Sequence, residues 1–117
     1  MIEDWSAMTK KLSADIRELR VGSPDVMKAF STMALSAGAQ GALDPKTKEL
    51  IALAISVAVR CDDCIAFHAK AASQKGATRE EVMETLAMSV YMGAGPSVMY
   101  ASHALAAFTQ FSADKPA

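Results

Sequence analysis

The sequence predicts an all-α fold, a single-domain helical protein of about six helices, and three observations carry that reading. Capping residues and Gly or Pro recur at its breaks, apolar residues return every three or four positions, and the period-two alternation of strands is nearly absent.

The first helix is expected over Trp5 to Arg20, where Met8, Leu12, Ile16 and Leu19 form one apolar stripe and Val21-Gly22 ends it. Ser23-Pro24 supplies an N-cap and a proline at the first helical position. The second helix opened there should carry Val26, Phe30, Met33 and Ala34 inward, with Gly38 and Gly41 bracketing the loop after it.

Asp44-Pro45 repeats that cap and starts a central helix whose segment Leu50 to Val59 is apolar on every side, the pattern of a helix enclosed all round. No Gly or Pro occurs between Lys46 and Lys75, so one very long helix is permitted. A break at Arg60 to Asp63 is preferred, because two adjacent aspartates suit a new first turn. Gly76 closes the fourth helix, and Thr78 with Glu81 makes a capping box for the fifth. Gly93-Ala94-Gly95-Pro96 separates that helix from a sixth ending near Phe111, and the tail Ser112 to Ala117 is expected to fray. The eight methionines are spread at spacings that suit core filling.

The 117 residues are the size of one domain, read as 1–117 with a core at about 25–108. Twelve basic and thirteen acidic side chains nearly cancel, without long blocks of either sign, so neither nucleic acid nor an anionic membrane is an expected partner. The apolar run Leu50 to Val59 is far short of the ~20 residues that span a bilayer. The acidic start, Met1-Ile2-Glu3-Asp4-Trp5, lacks the pattern of a secretory leader, and a cytoplasmic location is expected. Small size and an all-round apolar central helix together predict a homo-oligomer.

The chemistry concentrates in Cys61-Asp62-Asp63-Cys64-Ile65-Ala66-Phe67-His68. Its two cysteines are the only ones in the chain, and in a reducing compartment such a pair is more often redox-active or metal-binding than a structural staple. At ~100° per residue, Cys61, Cys64 and His68 share one helix face. An i, i+3 pair on a helix has Cβ atoms roughly 5 to 6 Å apart, so a small adjustment of the first turn closes a disulfide. A helix that starts at the cysteines favours a thiolate through its dipole, while Asp62 and Asp63 oppose it with negative charge although they point away from the cysteine face.

His68, one turn after Cys64, can take or return a proton, and a carboxylate beside it would fix its tautomer. Glu49 is the candidate. If the chain reverses near residue 59 or 60, Glu49 and His68 come level across two antiparallel helices, whereas an unbroken helix would put Glu49 about 18 Å from Cys61.

Glu49, Cys61-x-x-Cys64 and His68 closely resemble the signature of the AhpD-like alkylhydroperoxidases within the carboxymuconolactone decarboxylase family. The lead-in Asp44 to Ala54 and the break Gly93-Ala94-Gly95-Pro96 are similar to that family's as well, and the resemblance covers about residues 25–108. It implies a thiol-dependent peroxidase on an all-helical homo-oligomer, often a trimer or hexamer. It gives Cys64 as the peroxide-attacking thiol, Cys61 as the resolving one, and Glu49 with His68 as the proton relay. The partners it implies are a small hydroperoxide and a dithiol reductant or partner redox protein, with no bound cofactor. One position departs: the best-known members carry a histidine before the second cysteine, where this chain has Asp63. The family's lactone-acid decarboxylases lack the cysteine pair, so its presence points to redox chemistry.

The competing readings are plainer. The two cysteines can be packed as small hydrophobes, or Cys61, Cys64 and His68, with Glu49 as a fourth ligand, can hold zinc. His103, among Ala101, Ala104 and Leu105, reads as a packed or interface residue, as do Trp5, Tyr91 and Tyr100.

Overall fold

The structure is a computed structural model and describes residues 2–115. It has five helical runs: α1 (Trp5–Gly22), α2 (Pro24–Gly38), α3 (Pro45–Ala58), α4 (Asp62–Gln74) and α5 (Arg79–Ala113).

Each start follows from a local donor problem, since the first N–H groups of a helix lack partners within it. Asp4 accepts from the Ala7 N–H and Asp44 from the Thr47 N–H, and Thr78 and Glu81 form the full reciprocal capping box. The Thr47 N–H bond holds the Asp44 carboxyl below the usual carboxylate range. Glu81 also meets Lys46 at 2.9 Å, which lowers the carboxyl and raises the ammonium, and so ties the start of α3 to the start of α5. Ser23 does precede α2, but its side chain makes no capping bond; Pro24 at the first helical position is what remains of that signal.

α5 is one helical run with a single non-helical residue, Ala94 (φ 53°, ψ −139°), followed by Pro96. A straight helix of 35 residues would be about 52 Å long, beyond the 38 Å of the molecule's longest dimension, so the run folds back at Ala94. Arg79 Nη1, at its beginning, donates to Thr109 Oγ1 near its end at 3.1 Å. The two arms are the expected fifth and sixth helices, with the break shrunk to one residue. Gly93 is needed there because a Cβ would meet Ser97 Oγ at 1.9 Å.

α3, α4 and α5 pack on one another, α1 lies across α4 and α5, and α2 touches only α1 and α3. The core runs through Leu53, Val57, Ile65, Ala69, Val82, Leu86 and Phe108, with Trp5 closing it from α1.

Several sequence expectations are corrected here. On α2, Val26, Phe30 and Met33 are more than half exposed and Ala34 is exposed, because no element among the described residues lies over that face. α3 is not enclosed: Leu53 and Val57 are buried, whereas Ile51, Ile55 and Val59 are exposed. Of the α1 stripe, Met8, Leu12 and Ile16 are half-buried and Leu19 is exposed. Met33, Met83, Met88, Met92 and Met99 lie on the surface and not in the core. The tail is docked as far as it is described: Lys115 Nζ donates to the Ser73 carbonyl at 2.7 Å, and the Ser112 and Ser73 hydroxyls are 3.2 Å apart. Its last residues, Pro116 and Ala117, lie outside the described residues. No helix among the described residues is long and apolar enough to cross a membrane.

Ala94 holds a positive φ that strains any residue with a Cβ. Ala94→Gly is therefore expected to raise unfolding stability by roughly 0.5–1 kcal/mol in urea denaturation, because relief of strain exceeds the added freedom of the unfolded chain. A loss of stability would show that the bend does not need this conformation.

Candidate active site

Cys61 belongs to two helix ends at once. α3 closes in a Schellman turn: the Arg60 N–H donates to the Val57 carbonyl at 3.1 Å and the Cys61 N–H to the Ser56 carbonyl at 3.0 Å, with Arg60 at φ 60°. Cys61 is then the N-cap of α4, its Sγ accepting the Cys64 N–H at 3.1 Å and its carbonyl the Ile65 N–H at 2.9 Å. The break expected at Arg60 to Asp63 is present.

That cap position explains how the pair closes. Cys61 is extended (φ −114°, ψ 97°), so its sulfur swings over the first turn, and Cys61 and Cys64 are joined in a disulfide with Cα atoms 5.2 Å apart. Both are half-buried.

The reversal brings α3 and α4 side by side and sets Glu49 against His68. Nδ1 of His68 and Oε2 of Glu49 are 2.7 Å apart, with the side chains 39% and 20% exposed. A carboxylate accepts, so the imidazole donates from Nδ1 and Nε2 is left as the basic nitrogen. His68 sits one turn beyond Cys64 on the same helix face, the spacing at which side chains meet.

The structure thus brings the four expected residues into two contacts, Cys61 with Cys64 at the α3–α4 turn and Glu49 with His68 across the two helices, with His68 one helical turn beyond Cys64. Asp63 is exposed. No group of three or more His, Cys, Asp or Glu side chains among the described residues is arranged to hold a metal ion while the two sulfurs are bonded to each other.

One pair escaped the sequence. His103 is not simply packed: its Nδ1 donates to Asp62 Oδ1 at 2.7 Å, and Tyr100 and Trp5 lie against its ring with centroids 5.1 and 6.2 Å away. Asp62 and His103 are 41 positions apart, and no spacing rule links such residues. Of the other aromatics, Trp5 is buried as expected and Tyr91 is exposed.

Fold and site define a compact helical protein with a cysteine pair at a helix cap and a carboxylate-held imidazole one turn away. The chain belongs to the carboxymuconolactone decarboxylase family, whose profile matches residues 24–107. A carboxymuconolactone decarboxylase family protein of Legionella pneumophila, solved in its apo form, superposes with a TM-score of 0.91 at 50% identity over 92% of this chain and 96% of that one. A family protein of Thermotoga maritima with a candidate role in antioxidative response gives 0.79 at 28% identity over 88% of each chain. An uncharacterised protein of Cupriavidus necator is 39% identical over 97% of this chain and all of its own.

Free imidazole prefers its proton on Nε2, so the Glu49 contact has a spectroscopic consequence. Nitrogen-15 NMR of native protein is expected to show His68 protonated at Nδ1 when neutral, and Glu49→Ala should return it to the Nε2–H form. The same tautomer in both proteins would refute the assigned bond.

Proposed function

We propose that the chain is a dithiol oxidoreductase that reduces a small hydroperoxide. The observation that carries this is the 2.7 Å Glu49–His68 pair, held one helical turn from a cysteine pair that is within bonding reach. The Thermotoga maritima family protein with a candidate antioxidative role supports the same reading.

In the reduced protein the Cys64 thiolate attacks the terminal oxygen of ROOH, the O–O bond breaks, and the products are Cys64 sulfenic acid and an alcohol. His68 Nε2 takes the proton of the Cys64 thiol as that thiolate forms and returns it to the departing alkoxide, while Glu49 holds the imidazole in place. The Cys61 thiol then attacks the sulfenic sulfur, expelling water and forming the disulfide. An external dithiol reduces that disulfide by two successive exchanges and becomes a disulfide itself.

The cap geometry suits the resolving role of Cys61, since a residue bonded through its N–H, carbonyl and sulfur has little distance to move between thiol and disulfide. Peroxide and reductant would be met in a reducing, cytoplasmic setting. The exposed apolar face of α2 and α3 supports assembly of copies of this chain, as a trimer or hexamer.

The test is consumption of an organic hydroperoxide with a dithiol as reductant. Native protein should turn over, Cys64→Ala should be inactive, and Cys61→Ala should stop after one equivalent. His68→Ala should fall by roughly 10²-fold or more, and Glu49→Gln by a smaller factor. An inert native protein would overturn the peroxidase reading; if its thiols still cycled with dithiols, the physiological oxidant would be a partner's disulfide.

Light scattering at micromolar concentration should show an oligomer, and Phe30→Asp should shift it to smaller species. A native monomer would contradict assembly through this face.

A further inference from the structure

Two aspartates sit in the first turn of α4, and the structure treats them differently. Asp63 is exposed, whereas Asp62, the residue next to Cys61, is turned onto α5 and accepts the Nδ1–H of His103 at 2.7 Å. His103 is fixed in turn by Tyr100 on its own helix and by Trp5 from α1, itself 2% exposed. Asp62, the neighbour of Cys61 in the chain, is thus tied through His103 to α5 and α1.

An acidic residue needs no such partner at this place, because a helix N-terminus already favours negative charge. The same charge disfavours a thiolate at either cysteine of the reduced pair, and Cys61, whose sulfur accepts the Cys64 N–H, is next to Asp62 in the chain. Nδ1 of His103 donates to Asp62 and so holds its carboxylate against α5. A donor in that position offsets part of the carboxylate's charge, more so when the imidazole is protonated.

We infer that Asp62 and His103 are positioning residues of the dithiol: His103 holds and partly offsets the carboxylate beside Cys61, and so sets the thiol–disulfide equilibrium of the Cys61–Cys64 pair. This deepens the dithiol reading and rests on it. Glu49 and His68 serve proton transfer at Cys64, and the second carboxylate–imidazole pair serves the standing balance between the two redox states at Cys61. Neither residue of the second pair needs to touch peroxide.

The experiment is equilibration of oxidised protein with glutathione at pH 8, in which the protein disulfide and two glutathione thiols exchange for the protein dithiol and glutathione disulfide. Native protein, Asp62→Asn, His103→Phe and the double variant are compared, each checked for unchanged helical circular dichroism. Phenylalanine keeps the ring that packs on Trp5 and Tyr100 while removing the donor.

For a charge near the surface acting across several ångströms, the expected effect is about threefold to fivefold in the equilibrium constant. Asp62→Asn should move it toward the dithiol, His103→Phe toward the disulfide, and the double variant should lie with Asp62→Asn, because no charge is left to offset. A pair that only braces the helix would shift both single variants the same way, with the double no better than either. That result, or no shift in any variant, overturns the inference while the dithiol reading stands. A native pair that does not exchange with glutathione at all overturns the dithiol reading, and the inference with it.

Discussion

The reversal between α3 and α4 is the constraint on which the site depends. Arg60 takes a left-handed backbone angle so that the N–H groups of Arg60 and Cys61 can reach back to Val57 and Ser56. A side chain at positive φ costs free energy that glycine would not, as Gly76 at the matching turn after α4 illustrates with φ 84°. That turn decides three things together: where α4 begins, that Cys61 is its cap rather than a member of its first turn, and that Glu49 lies level with His68. Continued as a helix through residue 60, the same sequence would keep every side chain and lose the site.

Around the reversal, packing is done by small residues. Ala66, Ala69, Ala72, Ala104 and Ala107 are fully buried, so α4 and α5 approach closely and the core holds few large side chains. The larger apolar residues, Phe30 and Met33 on α2 and Ile51 and Ile55 on α3, remain outside. A chain of this length has limited surface to bury within itself, and the remainder is available to other copies.

What could be read from the sequence was what depends on near neighbours. The caps at Asp44 and Thr78, the break after Val59 and the bend at Gly93-Ala94-Gly95-Pro96 are local bonding problems with local answers. Glu49 with His68 was within reach because a reversal at a known place fixes which residues face one another. Which apolar faces would be covered was not, since periodicity shows that Val26, Phe30 and Met33 share a side but not whether this chain supplies anything to lie over it. Asp62 with His103 was invisible for a different reason: the contact depends on how α5 returns across the bundle, and neither residue lies in a pattern that points to the other.

The side chain of Gln110 links the beginning of α1 to the end of α5. Its Oε1 accepts the Trp5 and Ser6 N–H groups at 2.6 and 3.1 Å, so the opening turn of α1 is completed by a residue 105 positions later. Closing so long a loop is entropically demanding. The start of α1 is therefore held from the end of α5 as well as by its own cap at Asp4. Because α1 also sets Trp5 against His103, loss of the Gln110 contact would be felt at the Asp62–His103 pair as well as at the start of α1.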